Sequence, residues 1–284
     1  MDLATIIRYG QVVEKTYGVA PAMLANAAGQ AISVEWGSSP ANEYAVITTI
    51  YANDLATDIN PQRGQRRVSM GMVLQDTASG EAVIAIRGTE GVFEWIQDAR
   101  FLYVPCPIPG GAGSTDDGFT AMYKSLEIGA EPGSAPLSRT LATLPWRVPV
   151  TSVTVCGHSL GGALATLTAF DVAANTTLPQ PRAITFASPR TGDAPFAAAY
   201  NRLVPNTCRV VNRLDLIPRT PPSPLYDHVA GEMEINPIDF GPPPKVLVRS
   251  DLTCEHILTS YLHVLTHQAG GPLLPLEANC TPLL

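Results

Sequence analysis

The sequence predicts an α/β fold, with a mainly parallel central sheet and helices on both faces. Three observations carry this. Short β-branched runs alternate with longer helical stretches, the pattern of a sheet built through crossover connections. One run, Val150-Thr151-Ser152-Val153-Thr154-Val155-Cys156, is short and apolar, as a strand buried on both faces should be. It feeds through a glycine-flanked turn into Gly162 to Ala174, whose Ala and Leu content reads as a buried helix. The 284 residues suit one domain, residues 1–284, because no repeat or low-complexity linker divides them.

The elements follow in order. Leu3, Ile6, Ile7, Val13 and Tyr17 recur at helical spacing, so the chain opens on an amphipathic helix. Val68 to Leu74 and Ala82 to Ile86 read as strands joined through the turn-like Asp76-Thr77-Ala78-Ser79-Gly80. Phe119 to Ile128 reads as a helix. Ala183 to Phe186 and Cys208 to Val211 are two more strands, with a helix at Asp193 to Tyr200 between them. The dense prolines from Pro218 to Pro244 limit regular structure there to short pieces. His256 to His267 forms a final helix.

Composition removes several classes of function. Charged residues make up only 15% of the chain, which excludes a highly charged disordered protein. The net charge is −7 and the one basic cluster is Arg63, Arg66 and Arg67, so nucleic acid is not a partner. The same charge opposes electrostatic docking on anionic lipid but leaves transient hydrophobic contact with a lipid–water interface open. No apolar run approaches the ~20 residues of a membrane span. Met1-Asp2-Leu3 carries an acid where a secretory signal carries bases. The chain is therefore intracellular if this is its natural start, and secreted if a mature end has gained a Met. Of the five cysteines none forms a Cys-x-x-Cys pair, and Cys156 reads as a small core residue. Cys254 and Cys280 either bridge or stay as thiols; their spacing does not decide.

The chemistry centres on Gly157-His158-Ser159-Leu160-Gly161, a G-x-S-x-G pattern. Composition alone produces about 0.1 such patterns in this chain, so context matters more than the match. Here it lies between a strand and a helix, where the tight turn strains the serine and the glycines remove Cβ clashes. Ser159 is thereby held at the carboxyl edge of the sheet, at a helix N-terminus that favours a developing oxyanion. A serine needs a base, and a histidine base needs an acid to orient it. His158 lies inside the turn and points away from the attack face. His263 and His267 share a helix face but lack the glutamate of a metalloprotease motif, so no metal site is read there. His228 and His256 remain as candidate bases. Asp215, just past a strand's carboxyl end, is the candidate acid; its competitor Asp193 more simply caps a helix. Ile84-Ala85-Ile86-Arg87-Gly88-Thr89 ends a strand in a glycine and a small hydroxyl residue, and Thr89 suits an oxyanion. From Gly91 to Phe101, Val92, Phe93, Trp95 and Ile96 can share one face of a short amphipathic helix, which suits either a lid beside an active site or a surface helix packed permanently on the core.

Taken in order, these segments resemble the class 3 lipases, the family of fungal triacylglycerol lipases and related plant lipases and feruloyl esterases. The resemblance runs through Ile86-Arg87-Gly88-Thr89 with Trp95-Ile96-Gln97-Asp98, Asp117-Gly118-Phe119, and the segment Val155 to Ala165 around Ser159. It continues through Thr185 to Asp193, Val211 to Pro218 and His256 to His263. It implies an α/β-hydrolase fold with a lid at 91–101. By position it implies Ser159 as nucleophile, Asp215 as acid, His256 rather than His228 as base, and Thr89 with the Leu160 N–H as oxyanion donors. The implied activity is carboxylic ester hydrolysis, most simply of acylglycerols, with no metal or organic cofactor. A feruloyl or short-chain esterase is the nearest rival and a catalytically silent binding module a remote one. The family's usual glycine before Ser188-Pro189-Arg190 is Ala187 here.

Overall fold

The computed structural model describes residues 1–18, 29–37, 41–53, 67–89, 101–129, 137–237, 252–277 and 280. Helix α1 (Leu3–Gly18) is followed by strands β1 (Ala31–Val34), β2 (Asn42–Asn53), β3 (Arg67–Gln75) and β4 (Glu81–Ile86). Next come β5 (Tyr103–Pro105), β6 (Ser114–Asp116), α2 (Asp117–Lys124), β7 (Glu127–Ile128) and α3 (Leu137–Ala142). Then strands and helices alternate: β8 (Ser152–His158), α4 (Leu160–Asn175), β9 (Pro181–Phe186), α5 (Ala194–Leu203) and β10 (Thr207–Asn212). A 3-10 turn at Ile217–Arg219, β11 (Glu232–Ile235), α6 (Leu252–His256) and α7 (Leu258–Gln268) complete the order.

Nine of the described strands form one sheet in the order β1-β2-β3-β4-β8-β9-β10-β11, with β7 beside β2. From β4 through β8, β9 and β10 to β11 every pairing is parallel. The β1 to β4 side is antiparallel and extends the sheet away from the predicted parallel part. The β3–β4 hairpin closes at the predicted turn. There the Asp76 carboxylate accepts the Ala78 and Ser79 N–H groups at 2.9 and 3.2 Å, and Gly80 takes a positive φ of 79°.

Side-chain alternation along the strands feeds two cores, one per face of the sheet. From β4, Ile84 and Ile86 join Val153, Val155, Leu164 and Phe170 under α2 to α5, while Val83 and Ala85 join Cys156, Phe186 and Tyr261 under α1 and α7. Helix α4 is apolar all round because it lies between the sheet and α2, α3 and α5, and Leu160 through Val172 are buried.

Two element boundaries differ from expectation. The predicted helix Phe119 to Ile128 ends at Lys124, where Ser125 caps it and Glu127–Ile128 leave to pair with β2. The tertiary ladder overrides a helical pattern there. The predicted helix from His256 is broken at Ile257, whose extended φ of −61° and ψ of 144° separate α6 from α7. His256 is thus the last residue of its own short helix.

Candidate active site

Ser159 sits between β8 and α4 with φ 58° and ψ −129°, a conformation that L-residues seldom adopt. Such strain costs about 1–3 kcal/mol and persists only where neighbours over-determine it. The Ser159 N–H donates to the Phe186 carbonyl at 2.9 Å, and the Gly162 N–H donates to the Ser159 carbonyl at 2.8 Å. Glycine is required on both sides. A Cβ on Gly157 would stand 2.1 Å from the Gly161 carbonyl oxygen, and one on Gly161 would stand 2.4 Å from the carbonyl oxygens of Ile86 and Arg87. The helix and the strand exits therefore approach more closely than any side chain permits.

The predicted base and acid converge on this serine. His256 Nε2 is 2.8 Å from Ser159 Oγ, and His256 Nδ1 is 2.8 Å from Asp215 Oδ2. Asp215 follows the end of β10. Its Oδ2 also accepts from the Tyr261 hydroxyl at 2.7 Å, and its Oδ1 accepts the Ile217 N–H at 2.9 Å. All three residues are buried, with exposures of 1% for Ser159 and Asp215 and 3% for His256. Asn212, the last residue of β10, donates through its side chain to the Glu255 carbonyl at 2.8 Å and so ties β10, which leads to Asp215, to the helix that ends at His256. A Cys254–Cys280 disulfide, with 5.4 Å between Cα atoms, anchors that helix two residues before His256. Cys106, Cys156 and Cys208 are free thiols.

The alternatives go elsewhere. His228 Nε2 faces the Pro218 carbonyl at 2.6 Å, and burial, then the Arg209 guanidinium, push its pKa down to about 3. Asp193 caps α5, accepting the Phe196 N–H at 2.9 Å. His263 Nδ1 lies 2.7 Å from the Leu274 carbonyl. Among the described residues no group of three or more His, Cys, Asp or Glu is placed to hold a metal.

On the oxyanion side, Leu160 opens α4, so its N–H precedes the first intrahelical hydrogen bond. Thr89 is half-buried and lies three residues beyond β4. Its neighbour Gly88 packs on Ser159, since a Cβ there would stand 2.9 Å from Ser159 Cβ. The predicted lid residues Val92, Phe93, Trp95 and Ile96 lie outside the described residues. Ala187, where the resemblance implies a glycine, has a positive φ of 53° and is fully buried, so an L-residue holds a conformation that favours glycine.

Two polar residues of the site were not singled out from sequence. Tyr17 reads there as one of the apolar positions of the first helix, and Tyr261 lies unremarked inside the segment His256 to His263. Nothing in either segment separates a tyrosine whose hydroxyl is used from one that only packs.

The family model for lipase (class 3) matches residues 83–224, the half of the chain that holds the elbow, Thr89 and Asp215. This chain belongs to the class 3 lipase family. It is 31% identical to the Oryza sativa subsp. indica protein named Phospholipase A1-II 7, over 95% of this chain and 79% of that one. It is 30% identical to Phospholipase A1-II 6 of Oryza sativa subsp. japonica, over 94% and 76% respectively. Among solved structures it resembles Rhizomucor miehei triacylglyceride lipase, with a TM-score of 0.58 and 23% identity over 83% of this chain and 80% of that one. A solved structure described as a triacylglycerol lipase whose catalytic centre is a serine protease triad gives a TM-score of 0.61 at 23% identity, with the same two coverages of 83% and 80%. These likenesses are of fold, and the fold is that of the α/β-hydrolases. Membership makes the chain a lipid ester hydrolase of the lipase type. His256 lies beyond the matched segment, so its place rests on the geometry described above.

Proposed function

We propose that the chain hydrolyses acyl esters of glycerolipids through an acyl-enzyme on Ser159. The observation that carries this reading is the unbroken hydrogen-bonded line Ser159–His256–Asp215 at a strained strand-to-helix turn. As Ser159 Oγ bonds to the ester carbonyl carbon, its proton passes to His256 Nε2. Asp215 holds the imidazole with its Nδ1–H toward the carboxylate and stabilises the imidazolium. The Leu160 N–H and the Thr89 N–H and hydroxyl receive the oxyanion. When the alkoxy C–O bond breaks, His256 returns the proton to the leaving alcohol. Water, deprotonated by His256, then adds to the acyl carbon, and collapse releases the fatty acid and restores Ser159.

For the substrate's headgroup, the sequence pattern of Val92, Phe93, Trp95 and Ile96 supports acylglycerols, because the lid that this pattern predicts would be favoured against a neutral droplet. A second reading, phospholipid, is supported by the identity to proteins named phospholipase A1 over nearly the whole chain. Fatty-acid release from a triacylglycerol emulsion and from phosphatidylcholine vesicles, each with a Ser159→Ala control, separates them. The acylglycerol reading expects the emulsion to turn over at least ~10-fold faster, a gap of ~1.4 kcal/mol in transition-state binding. Faster turnover on the vesicles assigns the phospholipid, and release that survives Ser159→Ala contradicts both. Trp95→Ser is expected to lower emulsion activity more than activity on a soluble short ester; equal losses would identify 91–101 as a fixed helix.

A further inference from the structure

Outside the triad, one hydrogen-bond chain joins the remaining parts of the site. The Gly88 N–H donates to the Tyr17 hydroxyl at 2.7 Å, and that hydroxyl lies 2.7 Å from His158 Nδ1. His158 Nε2 lies 2.8 Å from the carbonyl oxygen of His256. Every proton in this chain is determined. A carbonyl only accepts, so His158 carries its hydrogen on Nε2. The Nδ1 of a neutral imidazole then accepts, so the tyrosine donates to it while accepting from Gly88.

We propose that Tyr17 and His158 are positioning residues that lock the Gly88–Thr89 backbone and the His256 backbone into one unit around Ser159. The inference rests on the acyl-enzyme reading above. The packing supports it. A Cβ on Gly88 would meet Tyr17 Oη at 2.8 Å, Ser159 Cβ at 2.9 Å and the His158 carbonyl at 3.1 Å. The peptide that leads into Thr89 is therefore set by Tyr17 on one side and by the elbow on the other. The His158 and His256 rings lie 4.9 Å apart between centroids, and Tyr261, which donates to Asp215, meets His158 edge-on at 6.3 Å.

The chain works in only one protonation state. A second proton on His158 would face the Tyr17 oxygen, leave the phenolic hydrogen without its acceptor, and set a cation beside His256. That cation would oppose the imidazolium that ester attack creates. Burial, then the neighbouring His256, keep His158 neutral by lowering its pKa to about 3. Neither residue touches substrate in this account. Their effect is to hold the oxyanion donor and the base in register, which matters in the transition state and little in substrate binding.

The test compares Tyr17→Phe, His158→Gln and His158→Leu with the parent chain on a soluble p-nitrophenyl ester. It also measures affinity for an alkyl boronic acid, whose tetrahedral adduct on Ser159 resembles the transition state. Tyr17→Phe is expected to lower kcat about tenfold or more, short of the ~10²–10³-fold that outright loss of an oxyanion donor costs. Boronate affinity should fall in parallel while KM stays within about twofold. Glutamine can accept at one atom and donate at the other, so His158→Gln should keep at least about fivefold more activity than His158→Leu. Unchanged kcat in Tyr17→Phe, or a loss carried by KM with boronate affinity intact, overturns the proposal. If Tyr17→Phe does not fold, equal activities of the two His158 variants overturn it. A Ser159→Ala protein that still hydrolyses the ester refutes the acyl-enzyme reading instead, so the two failures are distinguishable.

Discussion

Replacing Asp215 with Asn should cost far more activity than stability, and the contacts of the carboxylate say why. Its Oδ2 accepts from both His256 Nδ1 and the Tyr261 hydroxyl, at 2.8 and 2.7 Å, and its Oδ1 accepts the Ile217 N–H at 2.9 Å. An asparagine has one oxygen to meet these three donors. With its NH2 toward Ile217, two N–H groups confront each other, and one hydrogen bond to a buried donor is lost. With its NH2 toward His256, the imidazole must turn its Nδ1 lone pair inward, and the hydrogen then sits on Nε2 facing Ser159. In that tautomer the ring cannot take the serine proton. The same swap in a serine protease lowers kcat by about 10⁴, and a fall of ~10³–10⁴ is expected here. Stability should drop by no more than about 2 kcal/mol, the scale of one buried hydrogen bond to a charged group. Steady-state kinetics on a soluble p-nitrophenyl ester, beside a urea unfolding curve, measure the two quantities separately. A loss under tenfold in a folded Asp215→Asn protein would refute the reasoning, because Asp215 would then not govern the tautomer.

Three further outcomes are expected. His256→Ala should abolish turnover while His228→Ala keeps it within about threefold, because His228 is engaged by the Pro218 carbonyl rather than by the serine; the reverse result in paired assays would reassign the base. Acid should destabilise the fold through His158: its pKa is about 3 when folded against 6.5 ordinarily, so the unfolded chain binds the extra proton between those values. That contribution is complete above pH ~6.5 and is lost as pH falls, by at most ~1.4 kcal/mol per unit; urea midpoints at pH 7 and 5 should differ less in His158→Gln, and an equal difference counts against it. Cys280→Ser opens the bridge between residues separated by 26 positions, a loss of about 3.5 kcal/mol by loop closure. Calorimetry showing an unchanged melting temperature would mean that the bridge is not formed.

The parts of this protein legible in its sequence are those encoded locally. The elbow declares itself because its G-x-S-x-G pattern and the strand and helix on either side are contiguous in sequence, although the approaches its glycines answer are only partly local: Gly157 faces Gly161 within one turn, while Gly161 faces Ile86 and Arg87. Asp215 is legible because a strand end followed by an acid is also a local pattern. His256 needed the resemblance: five histidines compete, and what separates His256 from His228 is a hydrogen bond spanning 97 residues. Strands β1 and β2 were not read, although the β3–β4 hairpin beside them was, because β2 is specified by its pairing with β1 and β3 and no turn signal joins it to either. The end of α2 was misplaced for the same reason, since Glu127 and Ile128 leave a helical pattern to join β2. Tyr17 and Tyr261 were invisible as site residues because nothing local shows whether a helix's tyrosine hydroxyl finds a partner 141 or 46 residues away.

The proposed hydrolysis requires that Ser159 form a covalent acyl-enzyme with His256 as its base. Intact-protein and peptide mass spectrometry after exposure to a p-nitrophenyl alkylphosphonate measures this directly, since the phosphonate forms a stable bond to an activated serine. One adduct per chain on Ser159 is predicted, appearing together with loss of esterase activity and strongly slowed in His256→Ala. An active protein that carries no adduct, carries it on another residue, or labels equally fast without His256 would contradict the account.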